Sequence, residues 1–195
     1  MAVAATSIAS AAVTQHRHKV RVTGGTTQLA LSSGTASALS SGGITLTPVA
    51  PATASGSTLT FPITHGRLNP TTLHGRVVHS GALTISNGTR TYVLRRLTIV
   101  SDAKAVTLRA AFRGSTMRAC HRAGRHHRNL RCVSTYHSGT ARIATLSGVT
   151  ASGSSVTGTA DLTTFSADLL NRLAGKQIVT AGAPIGTVTV TPTLS

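Results

Sequence analysis

Nineteen Lys or Arg stand against three acids in this chain of 195 residues, a formal charge of +16 at neutral pH. With only Asp102, Asp161 and Asp168, it lacks the paired carboxylates of glycosidases and the acidic clusters of Mg²⁺, Ca²⁺ or two-metal sites. No Gly-x-Ser-x-Gly elbow, Walker loop or dinucleotide fingerprint occurs either, so the composition points away from an enzyme and toward a protein that attracts polyanions.

Residues 1–13 are small and apolar and read as the back half of an export signal, ending near Ala9-Ser10-Ala11, without a basic n-region. A basic stretch follows, with His16, Arg17, His18, Lys19 and Arg21. The expected organisation is a signal-like leader and basic linker over 1–26 and one domain over 27–195, secreted or held at the cell surface. No later stretch is long and apolar enough to span a bilayer.

Thr27–Leu31 reads as a strand, Ser32–Ser41 as a short helix closed by Gly42-Gly43, and Ile44–Val49 as a strand stopped by Pro51. A similar unit lies near the C-terminus. Ala160–Leu162 leads into a helix N-capped by Thr163 or Thr164, with Leu169, Leu170 and Leu173 on its apolar face and Gly175 at C′. Ile178–Thr180 and Pro184 then echo Ile44 and Pro51.

The middle is strand-rich. Thr58–Ile63 alternates, with Pro62 marking an edge. His74–His79 and Ala82–Ser86 flank Ser80-Gly81, and Asn87-Gly88 signals a hairpin that pairs Thr91–Leu94 back. The parity shift at Arg95-Arg96 reads as a bulge. Val106, Leu108, Ala110 and Phe112 share one face of the next strand. Further strands fall at 141–146, 154–159 and 187–190. Short alternating strands joined by turn signals argue for an all-β sandwich or barrel, of which an antiparallel β-sandwich with one or two short helices is the expected form. Val, Leu, Ile and Ala must fill its core, since Trp is absent.

Between these strands lies an Arg/His loop at about 113–137. Cys120 and Cys132 bracket most of it. In a chain read as exported, an even pair favours a disulfide, contributing roughly 3 kcal/mol for a loop of this size; a metal site with the neighbouring histidines is the alternative. Arg118, Arg122, Arg125, Arg128 and Arg131 present planar forks suited to phosphate or carboxylate. They form the expected anion-contacting patch, for an anionic cell-envelope polymer or small molecule. With few aromatics to stack bases, nucleic acid would be held only nonspecifically. His121, His126, His127, Tyr136 and His137 are the alternative donors, to haem or a transition metal. A solvated insertion or a purely structural envelope protein is the third reading.

Phe61-Pro62, Gly66, Leu68, Gly75-Arg76-Val77, Ser80-Gly81, Leu83, Leu97, Ile99 and Thr107–Ala110 together resemble the HtaA domain of actinobacterial haem-transport-associated proteins. The resemblance covers about a quarter of the chain. It implies an exported or wall-associated β-rich domain in a family known for haem capture, and haem is the one cofactor it brings into view. Haem-binding members carry a Tyr ligand before the Phe-Pro strand and a His just after the Ser-Gly turn. This chain has no Tyr before Tyr92, and Ala82-Leu83 follow its turn, with His79 before it. Haem capture of the family type is therefore expected to be lost or rebuilt.

Overall fold

The computed structural model describes residues 19–119 and 131–195, with side-chain surroundings for 19–115 and 138–195. Eleven strands and two helices follow in chain order: β1 (Val20–Leu31), α1 (Ser33–Ser41), β2 (Thr45–Val49), β3 (Thr53–Ser55), β4 (Thr58–Leu68), β5 (Gly75–His79), β6 (Ala82–Ser86), β7 (Arg90–Ser101), β8 (Val106–Ala119), β9 (Arg131–Ser152), β10 (Ser155–Leu162), α2 (Thr164–Ala174) and β11 (Pro184–Leu194). The fold is all-β with two helices, as the composition and turn spacing require. It is not a sandwich. The strands run in the order β7-β5-β4-β1-β11-β10-β9-β8, and β8 pairs back onto β7, so eight strands close into a barrel.

Closure depends on β7. One of its edges carries β8 along nearly its whole length, while the other is shared by β6 over Thr91–Arg95 and β5 over Thr98–Ser101. The exchange falls at the bulge expected from Arg95-Arg96, where Arg96 adopts φ 53° and the β7–β8 register shifts between Arg95 and Thr98. A bulge bends its strand and increases local twist. Here it lets one strand serve the barrel wall and, through β6 and β2, a flap that continues beyond it.

Three local expectations change. Pro62 is not on an edge: β4 pairs with β1 through Thr26 on one side, and on the other it changes partner from β3 (ending at Thr60) to β5 (beginning at Ile63). Proline is tolerated where that ladder is interrupted. β1 begins at Val20, so residues 20–26, read as linker, are paired to β4 and β11. Ile178–Thr180 is not a strand. The Asn171 side chain captures it, accepting from the Ile178 and Val179 amides (2.8 and 3.1 Å) and donating to the Val179 carbonyl (2.9 Å). Replacing Asn171 with Ala should cost about 2 kcal/mol, from three hydrogen bonds worth about 1 kcal/mol each less partial recovery by water. Chemical denaturation at constant m-value would measure it.

The core has two layers. At one end Leu39, Leu59, Phe61, Leu83, Leu94, Leu162, Leu169, Leu170 and Leu173 pack beneath the helices; at the other Val22, Ile63, Val77, Ile99, Leu146, Val188 and Val190 fill the barrel. Both helices are capped as their sequences dictate. Ser32 accepts from the Thr35 amide at 3.1 Å and Thr163 from Ser166 at 3.3 Å, and Gly175 takes the left-handed conformation at φ 67°. Phe165 of α2 meets Phe112 of β8 at 4.7 Å between ring centroids.

Candidate basic cleft and the leucine-lined core

The helix-capped core contains an apolar cavity of about 100 Å³, lined by Leu39, Leu46, Leu83, Ile85, Phe165 and Leu169 among others. Small-molecule sites run to roughly 300–1,000 Å³, so this space holds no macrocycle. It lies beside Leu83, in the segment after the Ser-Gly turn where the resemblance implies a His. Leu83 is 8% exposed and Ala82 5%, and neither side chain can bind iron. A haem site of the family type does not fit these residues.

His79, the nearest His, is also committed. Its Nδ1–H donates to the Leu97 carbonyl (3.1 Å), and its Nε2 accepts from the Thr27 hydroxyl (2.7 Å). Burial holds this imidazole below its ordinary pKa of 6.5, opposed by the bond to Leu97. It is a neutral core histidine with no lone pair to offer.

A larger concavity among the described residues lies elsewhere, at the barrel end away from the helices. A cleft of about 1580 Å³ is lined by Lys19, Arg21, His65, Arg67, His74, Arg76, Val78, Val100 and Asp102, among others. Its cations come from three tripeptides of one pattern, Lys19-Val20-Arg21, His65-Gly66-Arg67 and His74-Gly75-Arg76. In a strand, residues i and i+2 share a face, so His65 and Arg67 of β4 point the same way, while Lys19 and His74 immediately precede β1 and β5. Register then aligns the arginines: Arg21 pairs with Arg67, and Arg67 with Arg76. The inward neighbours Val22 and Val77 are almost fully buried.

His65 is prepared to act as a ligand. The Thr64 hydroxyl donates to the Val78 carbonyl (3.1 Å) and lies 3.0 Å from His65 Nδ1. Its single proton being used, Thr64 must accept from Nδ1–H. The Nε2 lone pair is therefore the free one, since the partner of one ring nitrogen decides what the other can bind. Asp102 is the one acid in the lining. Its carboxylate accepts from the Lys104 and Ala105 amides (2.9 and 3.0 Å), which chiefly hold its pKa below the ordinary value, with Arg109 and His74 contributing.

The cysteine-bracketed run is placed only in part. Cys120, His121, Arg122, Arg125, His126, His127 and Arg128 lie outside the described residues, and with them the expected disulfide. Residues 113–119 and 131–137, read as loop, are antiparallel strand, with Arg118 opposite Cys132 and Ala119 opposite Arg131. The side chains of Arg118, Arg131, Cys132, Tyr136 and His137 also fall outside the described surroundings. Among the described residues, no three His, Cys or acidic groups cluster as a metal site, and no helix is long and apolar enough to cross a membrane.

By sequence, no family model and no curated protein matches the chain. Solved structures do match it, among them three from Corynebacterium glutamicum. The C-terminal domain of HtaA aligns over 90% of this chain and 99% of its own at 13% identity, with a TM-score of 0.61. The haem-binding protein HtaB aligns over 91% and 96% at 13% identity with a TM-score of 0.57, and the N-terminal domain of HtaA over 88% and 98% at 14% with 0.57. The barrel with its two helices is an HtaA-like fold.

Proposed function

Starting from this HtaA-like fold, we propose that the protein is a non-catalytic haem-capture module acting outside the cytoplasm, with its haem contact moved from the barrel core to the basic cleft. The observation that carries the reading is His65, whose Nε2 is left free by the Thr64 bond within a cleft rich in cations. A haem brings an iron that needs an axial donor, two propionates that need cations, and a flat apolar ring. The cleft supplies an imidazole, arginine forks and the side chains of Val78 and Val100. The likeness to HtaB, itself a haem-binding protein, makes haem the first ligand to test.

Haemin titration of the purified chain, followed by desalting, should leave a Soret band that is reduced about tenfold in retained amplitude by His65→Ala, the loss of a single axial ligand bond being worth at least 1.4 kcal/mol. His74→Ala should have a smaller effect. A band unchanged in His65→Ala but abolished by replacing His121, His126, His127 and His137 would move the site to the Arg/His run. No retained haem in the parent protein would defeat the haem reading.

A further inference from the structure

We propose that Arg21, Arg67 and Arg76 form a binding ladder for a chain of phosphate groups, a use of this surface that goes beyond haem capture. The three arginines occupy directly opposed positions on adjacent strands β1, β4 and β5. Neighbouring strands lie roughly 4.8 Å apart, so the three side chains rise from a line about 10 Å long. All three are exposed, and among the described residues their guanidinium groups have neither hydrogen bond nor ion pair.

Such a row is unfavourable in the free protein. Like charges directly opposite across strands destabilise a sheet, and the acid in the cleft does not relieve them, because Asp102 is engaged by its own turn. The strands cannot spread to ease the repulsion. A Cβ on Gly66 would stand 2.4 Å from the Arg76 carbonyl oxygen, so β4 and β5 are in close backbone contact here. The arginine bases are thus fixed at strand spacing on a rigid wall. An anion with charges repeating along a line turns that repulsion into attraction at each rung. Phosphate suits it, since every guanidinium can grip two oxygens of one group. Lys19 extends the positive lining on one side of the row, beside His74, and the His65 imidazole borders the other. Two sources share this chemistry, condensed polyphosphate and a phosphodiester polymer.

The test is calorimetric titration of the full chain, without haem, with tripolyphosphate and separately with a short glycerol-phosphate oligomer. Arg67→Thr removes the central rung and keeps a residue that favours strands. It should weaken binding roughly tenfold or more, the loss expected for one charge-assisted pair. Arg172→Gln, which removes the same charge from α2, should leave affinity within about twofold, as expected for an exposed charge away from the site. In low salt without ligand, Arg67→Thr should melt no lower than the parent, since a repulsion has been removed. Binding of only one anion, lost in Arg67→Thr, supports the ladder and identifies its source. Absence of binding to both, or equal weakening by Arg67→Thr and Arg172→Gln, overturns it. The haemin titration is read separately, so either proposal can fail alone.

Discussion

Replacing His79 with Leu is expected to cost about 3 kcal/mol, although Leu is the more apolar residue and the site is buried. The change strands two buried acceptors and donors at once: the Leu97 carbonyl loses the Nδ1–H, and the Thr27 hydroxyl loses its acceptor. An unsatisfied buried polar group costs about 1–3 kcal/mol each. For a chain of this size, that lowers the melting temperature by about 6–12 °C. Adding Thr27→Val should recover about 1 kcal/mol, because it removes one of the two orphaned groups. A single variant as stable as the parent would show that the two bonds contribute nothing.

The same histidine sets a pH dependence. Burial lowers its folded pKa below 6.5, so the unfolded chain binds the proton more readily. The stability that neutral His79 supplies is complete above pH 6.5 and is lost as pH falls from there toward the folded pKa. Each tenfold preference for the neutral form is worth about 1.4 kcal/mol. Carboxylates titrate mainly below pH 5, and there are only three. Melting temperature should therefore fall between pH 7 and 5, and the fall should be smaller in the Thr27→Val/His79→Leu variant.

The second large effect is at Gly186. It is buried, paired to Leu31 of β1 and to Ala160 of β10. A Cβ there would lie 2.0 Å from the Ala30 carbonyl oxygen and 2.9 Å from the Leu31 Cα. These are backbone atoms that no rotamer change can move. Gly186→Ala must push β1 and β11 apart, at a cost of about 3 kcal/mol, the upper range for overpacking. Gly34 provides the contrast. It sits in α1 with nothing within 4 Å of its virtual Cβ, and Gly34→Ala should stabilise by about 0.5 kcal/mol through helix propensity. Calorimetric scans of both variants check the pair; a neutral Gly186→Ala would mean that the β1–β11 seam yields more readily than its spacing implies.

Features written in neighbouring residues were legible in the sequence. The caps at Thr163 and Gly175 and the bulge at Arg95-Arg96 each depend on a few positions and appear where expected, whereas Ser32, read as the first helical residue, is the N-cap of α1. Barrel closure was not, because the pairing of Thr27 with Val190 leaves no mark on either strand alone. The sandwich expectation failed for this reason: the alternation of a strand is the same whether its sheet ends or returns. The cleft was missed for a related one. The Arg/His run at 113–137 is dense in sequence, whereas Arg21, Arg67 and Arg76 are isolated in sequence and meet only through register. A signal was present in the repeated basic-x-Arg tripeptides at 19–21, 65–67 and 74–76. An Arg in each of three strands, with a basic residue two positions before it, marks an outward basic face.

The seam between β1 and β11 also governs how the chain reaches its native state. Val22 meets Leu194 and Leu31 meets Gly186, so the first strand has one of its two partners at the far end of the chain. The order of synthesis delivers β11 last, and until it arrives β1 and β10 each expose an unpaired edge. Ring closure must then join residues more than 150 positions apart, and loop-closure entropy opposes that step before any contact rewards it. Folding should be slow, in the millisecond-to-second range of β-rich proteins dominated by non-local pairing. Final closure should be a late, concerted event. A C-terminal truncation ending before Pro184 would leave the barrel open, with two sticky edges, and self-association would be its fate.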